Sequence, residues 1–200
     1  MKNSKLNKLM LCIAALNVGT MRGRGSEVVE MLGRRGVEIC CVQETRWNGG
    51  SARLLSAKDY KYKFFWSGDK SGLGGVGVLL HIKLVDNVIS VLRLDHRIMQ
   101  LRILLGKTIM NVFCVYGPQV GLPEETQDLF YNNLLNNISK VPSDEFLIIC
   151  GDLNGHVGKL STGFDNIHGG HGFGNLNREG TRILDLCAAA NLAVANTFFK

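Results

Sequence analysis

Residues 150–158 read CGDLNGHVG, at the end of the apolar run Phe146–Cys150, which has the length of a buried β-strand. Side chains alternate along an extended chain, so Asp152 and Asn154 point to the same side just past this strand. One carboxylate and one amide can therefore reach into a common cleft. Open α/β folds build their sites at such strand ends, so this stretch decides the class of fold expected here.

Three further apolar runs end on a polar side chain. They are residues 39–42 before Glu44, residues 9–16 before Asn17 and residues 112–115 before Tyr116. A carboxylate that follows a buried strand is costly unless it is paired or bound to a cation. Each of these residues alone is typical of a turn, but the four together favour one site at a shared end of the strands.

The remaining pattern predicts strands in the middle of the chain and strand–helix–strand units at both ends. Predicted strands are Leu9–Leu16, Val37–Val42, Tyr60–Trp66, Val76–His81, Val85–Leu94, Ile98–Leu105, Thr108–Val115, Phe146–Cys150 and Leu192–Asn196. Predicted helices are Glu27–Arg35 with Ser26 as N-cap, a helix from Pro123 through Ile138, and a helix over about Glu179–Ala190. This order favours two packed mixed sheets flanked by helices over a doubly wound parallel sheet.

Two other patterns are weaker. Residues 72–77 fit the dinucleotide motif G-x-G-x-x-G, but a strand follows them instead of the helix that the motif requires. The long glycine-rich stretch Val157–Gly180 contains His168 and His171, three residues apart. Without a nearby cysteine or further histidine, a solvated loop is favoured over a metal pair.

Composition bounds the class of protein. The 200 residues are 46% apolar and 20% charged, which fits one domain over residues 1–200 with a proper core. The longest unbroken apolar run, Leu9–Leu16, is far shorter than the roughly 20 residues that span a bilayer, so no membrane segment is expected. The six cysteines lie mostly in apolar runs without a C-x-x-C pair, which favours reduced thiols and an intracellular protein.

The net charge of +6 is unevenly distributed along the chain. Residues 1–110 contain 18 Lys and Arg against 8 Asp and Glu, whereas residues 111–200 contain 5 against 9. A basic half beside an acidic half favours a polyanion-binding surface next to a site that uses carboxylates.

The strand-end motifs occur in an order that resembles a known family. They are Leu16-Asn17-Val18, Gln43-Glu44-Thr45, Val115-Tyr116-Gly117-Pro118 and Gly151-Asp152-Leu153-Asn154. The set resembles the endonuclease/exonuclease/phosphatase superfamily with its DNase I-like fold. Residues 150–158, 175–180 and 196–199 are similar in particular to endonuclease domains of RTE/BovB-type non-LTR retrotransposons and to craniofacial development protein 2-like proteins.

The resemblance implies a four-layer α/β sandwich of two mixed β-sheets flanked by helices, and a role for each strand-end residue. Glu44 corresponds to the Mg²⁺ ligand, with Mn²⁺ as an alternative cation. Asp152 corresponds to the residue that positions or deprotonates the attacking water, and Asn154 to the amide that holds the scissile phosphate. Tyr116 corresponds to a phosphate-binding tyrosine, and Asn17 to the asparagine that supports the metal site.

The same resemblance implies contacts with substrate for Arg46, Asn177 and Arg178. The expected function is a Mg²⁺-dependent phosphodiesterase that nicks DNA by water attack on a backbone phosphate. The expected partners are the DNA backbone and a reverse transcriptase domain in a longer product. The expected location is nuclear, with no membrane association.

One departure from the family pattern leaves alternatives open. Family members continue into an aspartate-bearing strand and a Ser-Asp-His motif, and this chain ends at Lys200 before either, so a C-terminally truncated domain is expected. One alternative is therefore a catalytically incomplete, domesticated protein that binds DNA or a protein partner. The other is a small-molecule phosphoesterase of the same superfamily.

Overall fold

The computed structural model describes residues 10–200; the predicted start of the first strand at Leu9 lies outside the described residues. Within that range the strands are β1 Ile13–Asn17, β2 Ile39–Gln43, β3 Gly50–Ala57, β4 Tyr60–Ser67, β5 Val76–His81, β6 Val88–Arg93, β7 Ile98–Leu105, β8 Thr108–Tyr116 and β9 Phe146–Asp152. The helices are α1 Gly25–Arg34, α2 Glu124–Ile138 and α3 Arg178–Ala189, with short 3-10 helices at Ile82–Asn87 and Ala195–Thr197.

The strands form two mixed sheets. The first has the order β1-β2-β5-β4-β3 and the second the order β6-β7-β8-β9. The pairs β1–β2 and β8–β9 are parallel, and the other neighbours are antiparallel. Parallel neighbours need a crossover connection, which α1 supplies between β1 and β2 and α2 between β8 and β9.

Three apolar clusters hold four layers together. The central cluster lies between the sheets and includes Cys41 and Val78 from the first sheet and Leu101 and Cys114 from the second. A second cluster packs Val28, Val29 and Leu32 of α1 against the outer face of the first sheet, and a third packs α2 and α3 against the second sheet. The four-layer sandwich predicted from the sequence is therefore observed.

Three strand predictions differ from the structure. Gly50–Ala57 was missed because this edge strand exposes most of its residues and shows no apolar alternation. The strand predicted over Leu192–Asn196 is wrong: Val194 makes one isolated bridge and a 3-10 helix begins at Ala195, so the apolar side chains there pack without a sheet partner. The predicted strand Val85–Leu94 begins only at Val88, since Ile82–Asn87 forms a 3-10 helix.

Two local predictions are also corrected. Helix α1 begins at Gly25 with Arg24 at its cap, so Ser26 lies inside the first turn and is not the N-cap. His168 is buried instead of solvated. Its Nε2 lies 3.1 Å from the Gly158 carbonyl oxygen, and its Nδ1 accepts from the Gly170 N–H at 3.0 Å, so the ring holds the glycine-rich loop together.

No helix within residues 10–200 is long and apolar enough to cross a membrane. The six cysteines are free thiols, and four of them are buried as the sequence predicted. Cys150 is half-buried on β9, and Cys12 is exposed just before β1.

Candidate active site

Four strand ends meet at one end of the sandwich. In the parallel pair β1–β2, Asn17 lies beside Gln43, so Glu44 follows directly next to Asn17. In the parallel pair β8–β9, Tyr116 lies beside Asp152. Because β1 and β9 approach each other across the two sheets, the two pairs come together. The structure thus brings Asn17, Glu44, Tyr116 and Asp152 into one cleft.

The amide of Asn17 connects the two carboxylates. Its Nδ2 donates to Glu44 Oε1 at 2.9 Å and to Asp152 Oδ2 at 3.1 Å. The hydroxyl of Tyr116 donates to the same Glu44 oxygen at 3.0 Å. Two carboxylates that share one donor repel each other unless positive charge or hydrogen bonds compensate them. The arrangement therefore concentrates negative charge at a point that favours a cation.

The backbone around Glu44 adopts an unusual conformation that aims its side chain. Glu44 and Arg46 both have positive φ angles, 57° and 54°, which non-glycine residues rarely adopt. The loop is held by hydrogen bonds from the Thr45 N–H to the Gly75 carbonyl at 3.2 Å and from the Arg46 N–H to the Gly74 carbonyl at 2.8 Å. Such backbone strain persists only where the surroundings enforce it, and it concentrates at functional sites.

The electrostatic environment keeps Glu44 ionised at neutral pH. The hydrogen bond from Asn17 lowers the pKa of Glu44 most; partial burial opposes this, and Tyr116 and Arg46 add to the lowering. Burial raises the pKa of the Tyr116 phenol, so its hydroxyl stays protonated and remains a donor. The site therefore pairs an anionic carboxylate with a neutral hydrogen-bond donor.

Asn154 is fixed beside the same cleft. Its backbone N–H donates to Asp152 Oδ1 at 3.0 Å, and its side-chain Nδ2 donates to the Gly117 carbonyl at 2.9 Å. Its φ angle of 52° lies in the left-handed region, where asparagine is tolerated better than most residues. Within residues 10–200 the second amide N–H and the amide oxygen of Asn154 make no hydrogen bond, so they can bind a ligand.

The three residues expected to contact substrate have different surroundings. Arg46 lies at the rim of the cleft, where its Nη2 donates to Glu44 Oε2 at 3.3 Å. Asn177 is the N-cap of α3: its Oδ1 accepts from the N–H groups of Gly180 at 2.8 Å and His156 at 2.9 Å. Arg178 is exposed and forms an ion pair with Glu124 of α2. Of the three, only Arg46 contacts the carboxylate cluster.

The donor set fits a hard divalent cation. Mg²⁺ prefers oxygen ligands and is typically held by one or two carboxylates plus several waters. Glu44 and Asp152 supply two carboxylates, and the side chain of Glu44 is 22% exposed, which leaves space for water ligands. Among the described residues no group of three or more His, Cys, Asp or Glu side chains is close enough to hold a metal ion, so waters and phosphate oxygens would have to complete the coordination of a cation here.

Sequence reasoning missed Arg97, which lies beside Tyr116. The hairpin of β7 and β8 pairs Ile98 with Val115, so the residue before β7 must lie next to the residue that ends β8. Arg97 Nη1 donates to the carbonyls of Tyr116 at 3.2 Å and Gly117 at 3.0 Å. Strand pairing, and not any motif, was the signal that could have identified it.

Comparison with known proteins agrees with this geometry. Residues 14–198 match the Endonuclease/Exonuclease/phosphatase family. The chain is 27% identical over 190 residues to Craniofacial development protein 2 from Tragulus javanicus, a match that covers 94% of this chain and 32% of that protein. The chain thus spans about a third of the length of this curated relative.

Two solved structures share the architecture. The AP endonuclease LMAP from Leishmania major superposes with a TM-score of 0.60 at 12% identity, over 90% of this chain and 66% of that one. The endonuclease domain of TRAS1, a telomere-specific non-LTR retrotransposon, superposes with a TM-score of 0.59 at 13% identity, over 90% and 71%. At these identities the likeness shows the fold alone, and it confirms the fold predicted from the sequence.

Proposed function

The chain belongs to the Endonuclease/Exonuclease/phosphatase family, and we propose that it is a divalent-metal-dependent phosphodiesterase that nicks DNA by water attack on a backbone phosphate. One observation carries the proposal: a single amide, that of Asn17, joins the Glu44 and Asp152 carboxylates while Tyr116 donates to Glu44. Phosphodiester hydrolysis needs a cation site, a base for water and donors for the phosphate oxygens. We assign one or more residues of this cleft to each task.

Glu44 would hold the divalent cation, Mg²⁺ or Mn²⁺, in the proposed reaction. When bound, the cation offsets the negative charge that develops on the phosphate oxygens. The low pKa of Glu44 keeps this ligand anionic at neutral pH. Asn17 supports the ligand by fixing one of its oxygens at 2.9 Å.

Asp152 orients the attacking water and accepts its proton. Its two carboxylate oxygens accept from different donors, the Asn17 amide at 3.1 Å and the Asn154 N–H at 3.0 Å. These two hydrogen bonds fix the plane of the carboxylate. A base held in one orientation keeps the water aligned with the phosphorus, and such alignment accounts for a large part of the rate in oriented reactions.

Asn154 and Tyr116 bind the phosphate oxygens. One N–H of the Asn154 amide is occupied by Gly117, and the other is available to an oxygen that gains charge during attack. The Tyr116 hydroxyl can rotate about its C–O bond, so its proton can turn from Glu44 to a phosphate oxygen.

DNA is the proposed substrate because of the basic residues of this chain and its similarity to endonucleases. Residues 1–110 contain 18 basic against 8 acidic residues, and Arg46 and the exposed Arg22 lie at the rim of the cleft. The similar structures named above are endonucleases, one of them a retrotransposon domain. A nuclear location and a reverse transcriptase domain in a longer product belong to the same proposal.

A binding-only protein is the second candidate, and one observation favours it. Within residues 10–200 no histidine makes a hydrogen bond to Glu44 or Asp152, so neither carboxylate is paired with an imidazole that could assist proton transfer. Tight binding of duplex DNA by this chain, with no nicking in the presence of Mg²⁺ or Mn²⁺, would support this candidate.

A plasmid assay separates the candidates. Supercoiled plasmid is incubated with the protein and Mg²⁺ or Mn²⁺, and a parallel sample contains EDTA. In a separate sample the protein and metal are incubated with a small phosphoester, and phosphate release is measured. The proposal predicts nicked circles with either metal, none with EDTA and little phosphate release. Plasmid binding without nicking would favour the binding-only protein, and phosphate release without nicking would favour a small-molecule phosphoesterase.

A further inference from the structure

Arg97 connects the strand ends that carry the proposed phosphate ligands. It immediately precedes β7, and its Nη1 donates to the Tyr116 carbonyl at 3.2 Å and to the Gly117 carbonyl at 3.0 Å. Its own carbonyl accepts from the Tyr116 N–H at 2.8 Å, and its guanidinium carbon lies 5.3 Å from the centre of the Tyr116 ring. Arg97 thus contacts Tyr116 through both backbone and ring.

The carbonyl of Gly117 links Arg97 to Asn154. A carbonyl oxygen has two lone pairs, and here one accepts from Arg97 while the other accepts from Asn154 Nδ2 at 2.9 Å. The space is closed around this point, because a Cβ on Gly117 would lie 2.7 Å from the Leu153 carbonyl oxygen. A shift of Gly117 would therefore move the Asn154 amide directly.

Arg97 is itself held in place from the other side. The carboxylate of Asp95 accepts from the backbone N–H of Arg97 at 2.6 Å, and it also accepts from Asn133 of α2 at 3.1 Å. Within residues 10–200 the Arg97 guanidinium forms no salt bridge, unlike those of Arg46 and Arg182. The positive charge of Arg97 therefore lies beside the cleft without a carboxylate in contact with it among these residues.

We propose that Arg97 is a positioning residue that holds the side chains of Tyr116 and Asn154 in the relative orientation in which both can bind one phosphate. The effect that we expect on the nicking rate rests on the proposed function. The effect that we expect on the positions of Tyr116 and Asn154 rests only on the hydrogen bonds described above. Arg97 acts through the Gly117 carbonyl and the Tyr116 backbone, and it needs no contact with the reacting atoms.

Arg93, the last residue of β6, provides a matched control close to the connection that carries Arg97. Its Nε donates to the Trp66 carbonyl at 2.9 Å and its Nη2 to the Ser51 carbonyl at 2.8 Å. It therefore makes the same kind of backbone contacts as Arg97, and neither carbonyl belongs to a residue of the cleft. A purely structural role of these arginines would give Arg93→Gln and Arg97→Gln the same phenotype.

The first test is kinetic. We expect Arg97→Gln to reduce nicking about 10²-fold, the cost typical of a small misplacement in an oriented site, with the loss mainly in kcat. Arg97→Lys keeps the charge and one donor, so it should recover part of the activity. Arg93→Gln should lower the melting temperature and leave the nicking rate per folded molecule unchanged. Equal losses for Arg93→Gln and Arg97→Gln would overturn the proposal.

The second test asks whether Arg97 acts through Asn154. In a cycle with Asn154→Ala, the double variant should lose much less than the product of the two single losses, because both changes remove the same interaction. Multiplicative losses would show that Arg97 acts independently of Asn154 and would contradict the proposal.

The third test does not depend on activity. The side-chain amide protons of Asn154 are followed by NMR in the wild type and in Arg97→Gln, with Arg93→Gln as the control. The Asn154 resonances should shift and exchange faster with water only in Arg97→Gln. Unchanged resonances would overturn the positioning role, even if the wild type nicks DNA. Shifted resonances in a protein that nicks nothing would support it and reject the proposed function.

Discussion

Asn17 is the residue on which the cleft depends most. Its Nδ2 donates to both carboxylates, and its Oδ1 accepts from the Gly19 N–H at 3.0 Å, which fixes the orientation of the amide. Removing this donor would leave the negative charges of Glu44 and Asp152 close together with fewer hydrogen bonds to offset their repulsion. The side chain is exposed, so its hydrogen bonds matter for the cleft far more than for the core.

We predict that Asn17→Ala lowers the nicking rate about 10²–10³-fold, the usual cost of losing one hydrogen-bond donor at a reacting centre. The melting temperature should change little, because the residue is exposed. Plasmid nicking and circular dichroism measure the two effects. Asn132→Ala, on the exposed side of α2, is the matched control and should have no effect on nicking. An Asn17→Ala variant that nicks as fast as the wild type would show that the Asn17 amide has no role in the reaction.

The sequence located the residues of the cleft where a strand pattern preceded them, and their roles in a reaction stay predictions. Glu44 and Asp152 could be predicted because a carboxylate directly after an apolar run requires a partner or a cation. Asn177 caps α3, a role that any helix start can give an asparagine, and its contact with substrate stays a prediction. Arg97 was missed because it lies in a polar turn, and only the pairing of β7 with β8 places it beside Tyr116.

At the scale of elements, the turn between β4 and β5 positions the loop that carries Glu44. Gly74 and Gly75 accept the backbone hydrogen bonds of Arg46 and Thr45. Gly75 has a φ angle of 86°, and a Cβ there would lie 2.6 Å from the Thr45 hydroxyl. The turn can therefore hold the Glu44 loop only while this position stays a glycine.

We predict that Gly75→Ala reduces nicking about 10²-fold, because the Glu44 loop must move to make room for the methyl group. Gly106→Ala is the matched control: Gly106 also has a positive φ, 64°, but a Cβ there would meet open space. Both variants should lose about 1 kcal/mol of stability or more from backbone strain. Chemical denaturation and plasmid nicking check this. Equal activity in the two variants would contradict the proposed role of the turn.

A second element-scale prediction concerns Glu145, which immediately precedes β9. Its carboxylate forms an ion pair with Arg102 of β7 and accepts from Asn111 Nδ2 of β8 at 2.8 Å, so it joins three strands of the second sheet. The hydrogen bond from Arg102 lowers the pKa of Glu145 below its usual range, and that from Asn111 adds to the lowering.

We therefore expect Glu145→Gln to destabilise the protein near neutral pH. A carboxylate whose pKa is lower in the folded state stabilises at pH values above its unfolded pKa of about 4.3, and this stabilisation is lost as the pH falls through the folded value. The difference in melting temperature between the wild type and Glu145→Gln should shrink in acid. A difference independent of pH would contradict the prediction.

Elements with a strong apolar pattern were predictable from the sequence, and those at edges were not. The buried strands β2 and β5 show continuous apolar runs because both of their faces are covered. The edge strand β3 shows none, since its stability comes from backbone pairing with β4. Residues 192–196 misled the prediction because burial against α3, and not a sheet, explains their apolar composition.

At the scale of the whole molecule, the charge asymmetry along the chain becomes an asymmetry in space. Residues 10–87 build α1 and the first sheet and contain 11 basic against 7 acidic residues. Helix α2, over the second sheet, contains three carboxylates and no lysine or arginine. We therefore expect the DNA backbone to approach the cleft mainly over the loops of the first sheet.

This placement predicts a strong salt dependence of DNA binding. Each neutralised phosphate releases counterion, so affinity for a short duplex should fall steeply between dilute and physiological salt. Arg22→Gln, at the rim of the cleft, should reduce the slope of log affinity against log salt by about 1. Lys107→Gln, at the far turn between β7 and β8, should leave it unchanged. Fluorescence anisotropy with the Asp152→Asn variant measures binding without cleavage, and a flat titration would contradict the prediction.

Two mixed sheets flanked by helices followed from the order of strands and helices, and the four-layer sandwich from the family resemblance. The sequence predicted that the strand ends share one site, but not that β1 and β9 are the strands that meet across the sheets. Local patterns record which residues are buried, but the approach of two sheets depends on contacts between distant parts of the chain. Asn17 and Asp152 are 135 positions apart, and no periodicity connects them.

The central claim is that the carboxylate of Asp152 activates water for attack on a DNA phosphate. The most direct measurement is the Mg²⁺-dependent nicking rate of Asp152→Asn against that of the wild type, with Asp185→Asn on the exposed face of α3 as the matched control. We predict that Asp152→Asn loses about 10²–10⁴ in rate, the contribution expected of a general base, while Asp185→Asn keeps the wild-type rate. Equal nicking by Asp152→Asn and the wild type, both folded by circular dichroism, would contradict the account.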